Sequence, residues 1–282
     1  MKIAKTIRFG VAQIPVTPFQ QRNIETIKKA IDWAAENKVD YLVTPEASLS
    51  GYSTSYYRDL EFLNSGLHEI EMYAISKNVG LCLGTLWVEY NEPGHEKKLV
   101  KRNQIRFYTK EGRFLGSTNK QVLTPLDLEI GIVKGEGLAG VLIPFEDKVI
   151  PTAGLICADL YGHLSNYGGL PQQYFTMGAK LLIHSTNAER GLDKFKDKLE
   201  EHWLEANITR ISYLLFPVIS ADNCYTMAGA PHTGKTITQS GFCVGGKWVN
   251  KVPRTGTHYS YHDFDVKKIA IDLADLPKSE LS

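Results

Sequence analysis

The sequence predicts an α/β protein, because strand-like and helix-like segments alternate from its beginning. Residues 7–14 (IRFGVAQI) are an apolar run typical of a strand, and Pro15 ends it. The next segment has its apolar residues at helical spacing, namely Ile24, Ile27, Ile31 and Ala34. Residues 41–44 are a second short apolar run. The chain therefore opens with a β-α-β unit, which favours a layered α/β fold.

The rest of the chain continues this pattern. Further predicted strands cover residues 81–88, 102–109, 149–156 and 213–220. Residues 193–210 form a predicted helix, with a buried stripe made of Phe195, Leu199, Trp203 and Ala206. Residues 123–139 are rich in glycine and are predicted to be an irregular loop packed over a site. No internal repeat or linker separates these segments, so residues 1–282 are expected to form one domain.

Composition excludes several classes of partner. The 32 lysines and arginines nearly balance the 31 acidic residues, and a net charge of +1 gives no reason to expect nucleic acid or an anionic membrane as partner. The N-terminus lacks the apolar core of a signal peptide, and no apolar run approaches the ~18 residues of a membrane span. The four cysteines are widely spaced, which favours reduced thiols and a cytoplasmic location.

Three reactive side chains follow predicted strands. Glu46 comes directly after the run at residues 42–45, Cys157 follows Leu155-Ile156, and Lys120 lies just beyond a predicted strand. Taken singly, Glu46 and Lys120 are more typical of solvated surface charges, and Cys157 is more typical of an inert thiol in the core. Buried strands that end at the same sheet edge bring such residues together, so the three in combination indicate a reactive site.

The sequences around these residues resemble the nitrilase superfamily of carbon–nitrogen hydrolases over nearly the whole chain. DYLVTPEASLSGY resembles the glutamate motif of that family, STNKQVLTP its lysine motif and GLICADLYG its cysteine motif, in the expected order and separation. The segment MGAKLLIHSTNA also fits. The resemblance implies a four-layer α-β-β-α sandwich that usually forms a homodimer, with helices packing so that the sandwich continues.

The resemblance implies that Cys157 is a nucleophile and that Glu46 is its base. A free thiol titrates near ~8.5 and therefore needs a base at neutral pH. Lys120 would stabilise the oxyanion, with the backbone N–H of Ala158 as a second donor. Glu129, nine residues after Lys120, matches the position of a second glutamate in many family members.

Glu136 is a rival to Glu129 for the second carboxylate. This chemistry requires no metal, nucleotide or organic cofactor. The expected substrate is a small amide or N-carbamoyl compound, and nitrile hydrolysis by the same three residues is the alternative within the family.

Tyr52, Tyr161 and Asn187 are the residues expected to contact the substrate. Family members that hydrolyse N-carbamoyl-α-amino acids resemble one another in carrying arginines just after the cysteine, where an arginine can bind both oxygens of a carboxylate. Here those positions are Leu160 and Tyr161. We therefore expect the enzyme to prefer a neutral or amine-bearing amide, unless a cationic side chain from another loop reaches the pocket.

Two patterns suggest other classes of protein. Residues 229–236 (GAPHTGKT) match the phosphate-binding loop pattern, which requires a helix directly after the lysine. The sequence that follows, ITQSGFCVGG, predicts a strand instead. A cysteine–histidine protease could use His163, His184 or His202, but it would leave Glu46 and Lys120 without a role.

Overall fold

Two β-sheets stack face to face, and each is covered by helices on its outer side. A computed structural model describes residues 5–52, 60–90, 99–160, 169–188, 194–224 and 236–275. The predicted α/β class and the four-layer α-β-β-α arrangement are both confirmed.

The helices are α1 (Gln20–Glu36), α2 (Leu60–Lys77), α3 (Pro125–Glu129), α4 (Leu170–Thr176), α5 (Lys194–Leu214) and α6 (Val266–Ile269). The strands are β1 (Thr6–Gln13), β2 (Tyr41–Val43), β3 (Gly80–Tyr90), β4 (Leu99–Tyr108), β5 (Phe114–Asn119), β6 (Val141–Phe145), β7 (Lys148–Ile156), β8 (Leu181–Ser185), β9 (Val218–Ala221), β10 (Gly241–Val244), β11 (Lys247–Lys251), β12 (His258–Asp265) and β13 (Ile271–Asp272).

Each sheet has three neighbouring parallel strands at its centre. The first sheet has the order β12-β1-β2-β3-β4-β5, in which β1, β2 and β3 are parallel. The second has the order β11-β10-β9-β8-β7-β13, with β6 paired to β7, and its parallel strands are β7, β8 and β9. The carboxyl ends of parallel strands lie at one edge of a sheet, so the loops after β2, β7, β8 and β9 can build a common site.

Apolar side chains form three stacked core layers. The layer between the sheets includes Phe9, Phe107, Ile183 and Phe242. The layer between the first sheet and helices α1 and α2 includes Ile27, Ile31 and Ile70, as the spacing of the α1 isoleucines predicted. The layer between the second sheet and helices α4 and α5 includes Tyr174, Leu204 and Ile208. Both sheets are therefore buried on their two faces around the strands that carry the site.

Helix α5 buries a different stripe from the predicted one. Leu204, Ile208 and Ile211 face the second sheet. Of the predicted stripe, Trp203 packs partly buried against the same core layer, whereas Leu199 is 61% exposed and Ala206 is also exposed. The prediction chose one of two apolar stripes, because this helix carries apolar residues on opposite sides. No helix in the described part of the chain is long and apolar enough to cross a membrane.

The phosphate-loop alternative lacks the helix that it requires. Residues 225–235, and with them most of the pattern, lie outside the described residues. The described residues that follow, 236–240, are irregular and lead directly into β10. A strand at this point cannot present helix N-terminal N–H groups to a phosphate.

Candidate active site

Glu46 lies in a tight turn after β2 and joins the two sheets. Its backbone N–H donates to the Thr186 carbonyl (3.3 Å), and its Oε2 accepts from the backbone N–H of Asn187 (2.9 Å), so both contacts reach the loop after β8. The turn fits closely against β3, where a Cβ at Gly84 would lie 2.0 Å from the Pro45 carbonyl oxygen. Glu46 is consequently almost fully buried, with its carboxylate held by both sheets.

Lys120 follows β5 and points its ammonium at two carboxylates. Its Nζ lies 2.8 Å from Glu46 Oε1 and 2.8 Å from Asp127 Oδ2, and the three side chains are at most 1% exposed. Burial alone would lower the pKa of Lys120, but the negative charges of Glu46 and Asp127 and the nearby Cys157 raise it above its usual value. Lys120 therefore stays positively charged.

The second carboxylate beside Lys120 is Asp127, and the prediction of Glu129 for this position is corrected. Glu129 is exposed at the end of α3, and the rival Glu136 is also exposed and pairs with Arg102 (3.0 Å). Asp127 is fully buried because it closes a capping box with Thr124, whose backbone N–H and hydroxyl both donate to Asp127 Oδ2 at 2.8 Å. The cap holds the carboxylate toward Lys120.

Asn103 and Tyr52 complete the surroundings of Glu46. The Asn103 side-chain amide donates to Glu46 Oε1 (2.7 Å) and to the Tyr52 hydroxyl (2.8 Å). The Tyr52 hydroxyl donates to Glu46 Oε1 and lies 3.4 Å from Asp127 Oδ1. Tyr52 was expected to contact substrate, but in this structure its hydroxyl belongs to the carboxylate cluster. Glu46 Oε1 thus accepts from three donors, including Lys120.

Cys157 ends β7 in a strained conformation. Its φ is +46°, a left-handed value that costs a non-glycine residue of order 1–3 kcal/mol and is found often at functional sites. It begins a single 3₁₀ turn, Cys157–Leu160, and is partly exposed. Burial raises the pKa of the thiol and so does the Glu46 carboxylate, while Lys120 lowers it. The net shift is upward, so the resting group is a thiol.

A close approach between β5 and β7 brings Lys120 toward Cys157. A Cβ at Gly154, on β7, would lie 2.2 Å from the Thr118 hydroxyl on β5. Only glycine allows the two sheets to pack this closely here. Thr118 lies two residues before Lys120, and Gly154 lies three residues before Cys157.

His184 does not form a cysteine–histidine pair. It is fully buried on β8, where its Nδ1 lies 3.1 Å from Ser220 Oγ and its Nε2 lies 3.5 Å from the backbone oxygen of Cys157. Burial lowers its pKa to about 4, so the ring is neutral. His202 is exposed on α5, and His163 lies outside the described residues.

The remaining predicted residues occupy varied places. Ala158 follows Cys157 in the 3₁₀ turn. Asn187 contacts Glu46 through its backbone, and its side-chain oxygen accepts from the Asn223 amide. Leu160 does not face a pocket, as its side chain packs in the core beneath α4 and α5. Tyr161 lies outside the described residues.

Sequence reasoning missed Asn103 and Asp127. The segment Thr124-Pro125-Leu126-Asp127 carries a recognisable capping-box pattern with proline at the first helical position, so it could have predicted α3 and a buried Asp127. Asn103 has no comparable pattern, because it lies within a strand and contacts a loop 57 residues away. Within the described residues, no group of three or more His, Cys, Asp or Glu side chains could hold a metal.

Comparison with solved structures gives the same fold. A cysteine-to-alanine mutant of an amidase from Nesterenkonia AN1, of the nitrilase superfamily, aligns with a TM-score of 0.69 at 17% identity, covering 99% of this chain and 97% of that one. A carbon–nitrogen hydrolase from Helicobacter pylori G27 aligns with a TM-score of 0.75 at 14% identity, covering 94% and 90%.

A glutamate-to-glutamine mutant of the Nesterenkonia sp. AN1 amidase, with acrylamide added at its active-site cysteine, has a TM-score of 0.68 at 16% identity and covers 98% of each chain. No curated protein sequence matches the chain. The model of the carbon–nitrogen hydrolase family matches residues 8–259, which is most of the chain. This protein therefore belongs to the carbon–nitrogen hydrolases of the nitrilase superfamily.

Proposed function

We propose that this enzyme hydrolyses a small amide through a thioester on Cys157. The observation that carries the proposal is the buried cluster in which Lys120 lies 2.8 Å from Glu46, together with the close packing of β5 on β7 that brings Cys157 toward Lys120. A thiol, a carboxylate and an ammonium are the three groups that acyl transfer needs, as nucleophile, base and oxyanion partner.

The raised pKa of Cys157 requires a base for the first step. Glu46 Oε1 already accepts from Tyr52, Asn103 and Lys120, whereas Oε2 accepts from the Asn187 backbone. Oε2 therefore has the greater remaining capacity to accept the thiol proton. The sulfur attacks the amide carbon as that proton moves to Glu46.

Lys120 stabilises the negative charge that develops on the amide oxygen. Its raised pKa keeps the ammonium charged throughout the reaction, and the Ala158 N–H is the proposed second donor. When the C–N bond breaks, Glu46 returns the proton to the leaving nitrogen, and ammonia or an amine departs. Glu46 then takes a proton from water, which attacks the thioester, and the sulfur leaves as the thiol while the acid is released.

The charges in the described part of the site favour a neutral or amine-bearing substrate. Glu46 and Asp127 carry two negative charges against the single positive charge of Lys120, and Asp222 also raises the pKa of Cys157. An α-carboxylate on the substrate would meet this excess of negative charge. Leu160, which was expected to line the pocket, lies in the core instead.

We also propose that two copies of the chain pair through the outer face of α5. Leu199 and Tyr213 are 61% and 74% exposed and lie on the side of the helix opposite Leu204 and Ile208, and Leu214, on the flank of the helix, is 61% exposed. An exposed apolar stripe of this kind commonly marks a protein–protein contact. Phe175 and Met177, around the end of α4, are exposed as well.

The decisive experiment measures ammonia release by wild type and Cys157→Ala over a panel of uncharged amides, amine-bearing amides, N-carbamoyl-α-amino acids and nitriles. We expect turnover of uncharged or amine-bearing amides by the wild type, an acyl adduct on Cys157 in intact-mass spectra, and no turnover by the variant. Cys243→Ala removes another buried thiol, in the core beneath α5, and should retain activity.

Full activity in Cys157→Ala would contradict the thioester mechanism. A tenfold or greater preference for N-carbamoyl-α-amino acids over matched uncharged amides would refute the charge argument alone. A preference for nitriles would assign the same cluster to nitrile hydrolysis.

A further inference from the structure

Another buried carboxylate near the site, that of Asp159, accepts hydrogen bonds from backbone groups. Asp159 lies two residues after Cys157 and is 1% exposed. Its Oδ1 accepts from the backbone N–H groups of Gln121 (2.8 Å) and Val122 (2.7 Å), and its Oδ2 accepts from that of Ile156 (3.0 Å). The proposed mechanism gives this carboxylate no chemical step.

The three backbone N–H donors lie next in sequence to Lys120, which follows the first sheet, and to Cys157, which follows a strand of the second. Gln121 and Val122 directly follow Lys120, and Ile156 directly precedes Cys157. Asp159 therefore ties the segment after β5, in the first sheet, to the end of β7, in the second. The contact with Ile156 also spans the left-handed residue Cys157, so it closes the turn that holds this strained conformation.

A carboxylate is the side chain best suited to this junction. Burial raises the pKa of Asp159 to about 7, and above that pH the ionised carboxylate only accepts hydrogen bonds, so both oxygens can receive backbone N–H groups. An asparagine has the same shape, but its NH₂ group would face at least one of these donors, and one bond would be lost.

We propose that Asp159 is a positioning residue that fixes the distance between Lys120 and the Cys157 thiol. This inference rests on the proposed function, since it assumes that Cys157 is the nucleophile and that the Lys120 charge acts on it. Asp159 makes no hydrogen bond to either reacting group. The Lys120 charge does act on Asp159, but losing the negative charge of Asp159 would by itself favour the Cys157 thiolate, so an effect in the opposite direction reports a displaced Lys120.

The test follows alkylation of Cys157 by iodoacetamide against pH, read by intact mass and peptide mapping, together with amide turnover. Asp159→Asn should move the alkylation midpoint to higher pH, in the direction of Lys120→Ala, because the ammonium no longer favours the thiolate as strongly. Turnover should fall about tenfold or more, as expected for misplaced reacting groups. In the double variant, which combines Asp159→Asn with Lys120→Ala, Cys157 should be alkylated with the same pH midpoint as in Lys120→Ala alone. The two changes are not additive because Asp159 is proposed to act through Lys120.

Asp40→Asn is the matched control. Asp40 is a partly buried carboxylate that also accepts a backbone N–H, from Arg8 at 2.7 Å, but it lies before β2 and so at the sheet edge opposite Glu46. The pH profile of Cys157 alkylation in Asp40→Asn should equal that of the wild type. Asp159→Ser, which cannot overfill the site, serves as a second variant if Asp159→Asn fails to fold.

An unchanged alkylation profile in a folded Asp159 variant would overturn the proposal, and so would additive effects in the double variant. Failure of both Asp159 variants to fold, with Asp40→Asn folded, would show a requirement for folding itself and would overturn a positioning role. If Cys157 is not alkylated, or if Cys157→Ala keeps its turnover, the proposed function fails instead.

Discussion

Replacing Asp127 by asparagine should damage both the stability and the activity of this enzyme. Asp127 Oδ2 lies 2.8 Å from Lys120 Nζ, and neither side chain is more than 1% exposed. Removing one partner of a buried ion pair costs about 3–5 kcal/mol, because the remaining charge is left poorly compensated. Lys120 keeps Glu46 as a partner, so we expect the lower end of this range, about 3 kcal/mol of unfolding free energy.

An asparagine keeps the shape of Asp127 but not its negative charge. Thr124 and Lys120 both contact Oδ2, so an amide oxygen in that place can keep these contacts but leaves the Lys120 ammonium compensated by Glu46 alone. Turnover should therefore fall about tenfold or more, since the proposed mechanism uses the Lys120 charge to stabilise the transition state. Asp127→Glu, which restores the charge on a longer side chain, should recover part of the lost activity.

Two variants separate the ion pair from other effects. Glu129→Gln alters an exposed carboxylate in the same helix and should change stability by less than about 0.5 kcal/mol, with normal turnover. Thr124→Ala removes the cap but keeps the ion pair, so it should cost about 1 kcal/mol with much smaller loss of turnover.

Unfolding in urea followed by tryptophan fluorescence gives the stability differences, and ammonia release gives the turnover. The assignment of Asp127 would be refuted if Glu129→Gln lost activity while Asp127→Asn kept it.

Two further predictions concern pH and assembly. Because the pKa of His184 is about 4 in the folded protein against 6.5 when unfolded, the unfolded state binds more protons between these values, and stability falls as pH drops through that window. The wild type should therefore lose about 3 kcal/mol more than His184→Gln between pH 7 and pH 4, and equal losses in urea unfolding would contradict this. Sedimentation should give a dimer for the wild type and a monomer for Leu199→Glu with Tyr213→Glu, whereas a monomeric wild type would refute the α5 contact.

The positions of Glu46, Lys120 and Cys157 could be predicted from the sequence because each depends on local pattern. An apolar run followed by a break predicts a strand end, and strand ends of a layered α/β fold meet at one edge. Of these three predicted residues, the structure brings Glu46 and Lys120 into contact.

The second carboxylate could not be chosen by counting residues from Lys120. Asp127 and Glu129 are two positions apart on a single helical turn, so they point in different directions, and the start of that turn decides which one is buried. Helix α5 posed the same difficulty, because apolar residues occur on its exposed side, as Leu199 and Tyr213, as well as on its buried side, as Leu204 and Ile208. In both cases the missing information was the direction of a helix face relative to its neighbours.

The site depends on the alignment of two sheets, and backbone contacts between them set that alignment. The Ser185 hydroxyl, at the end of β8, donates to the Thr44 carbonyl after β2 (2.7 Å), and the Glu46 and Asn187 contacts lie next to it. Asp159 makes the corresponding connection between the ends of β5 and β7. Glu46 thus lies at one junction, and Lys120 and Cys157 lie next to the other. Since the Lys120–Glu46 ion pair links the two junctions, a shift in either should alter the geometry of all three reactive groups.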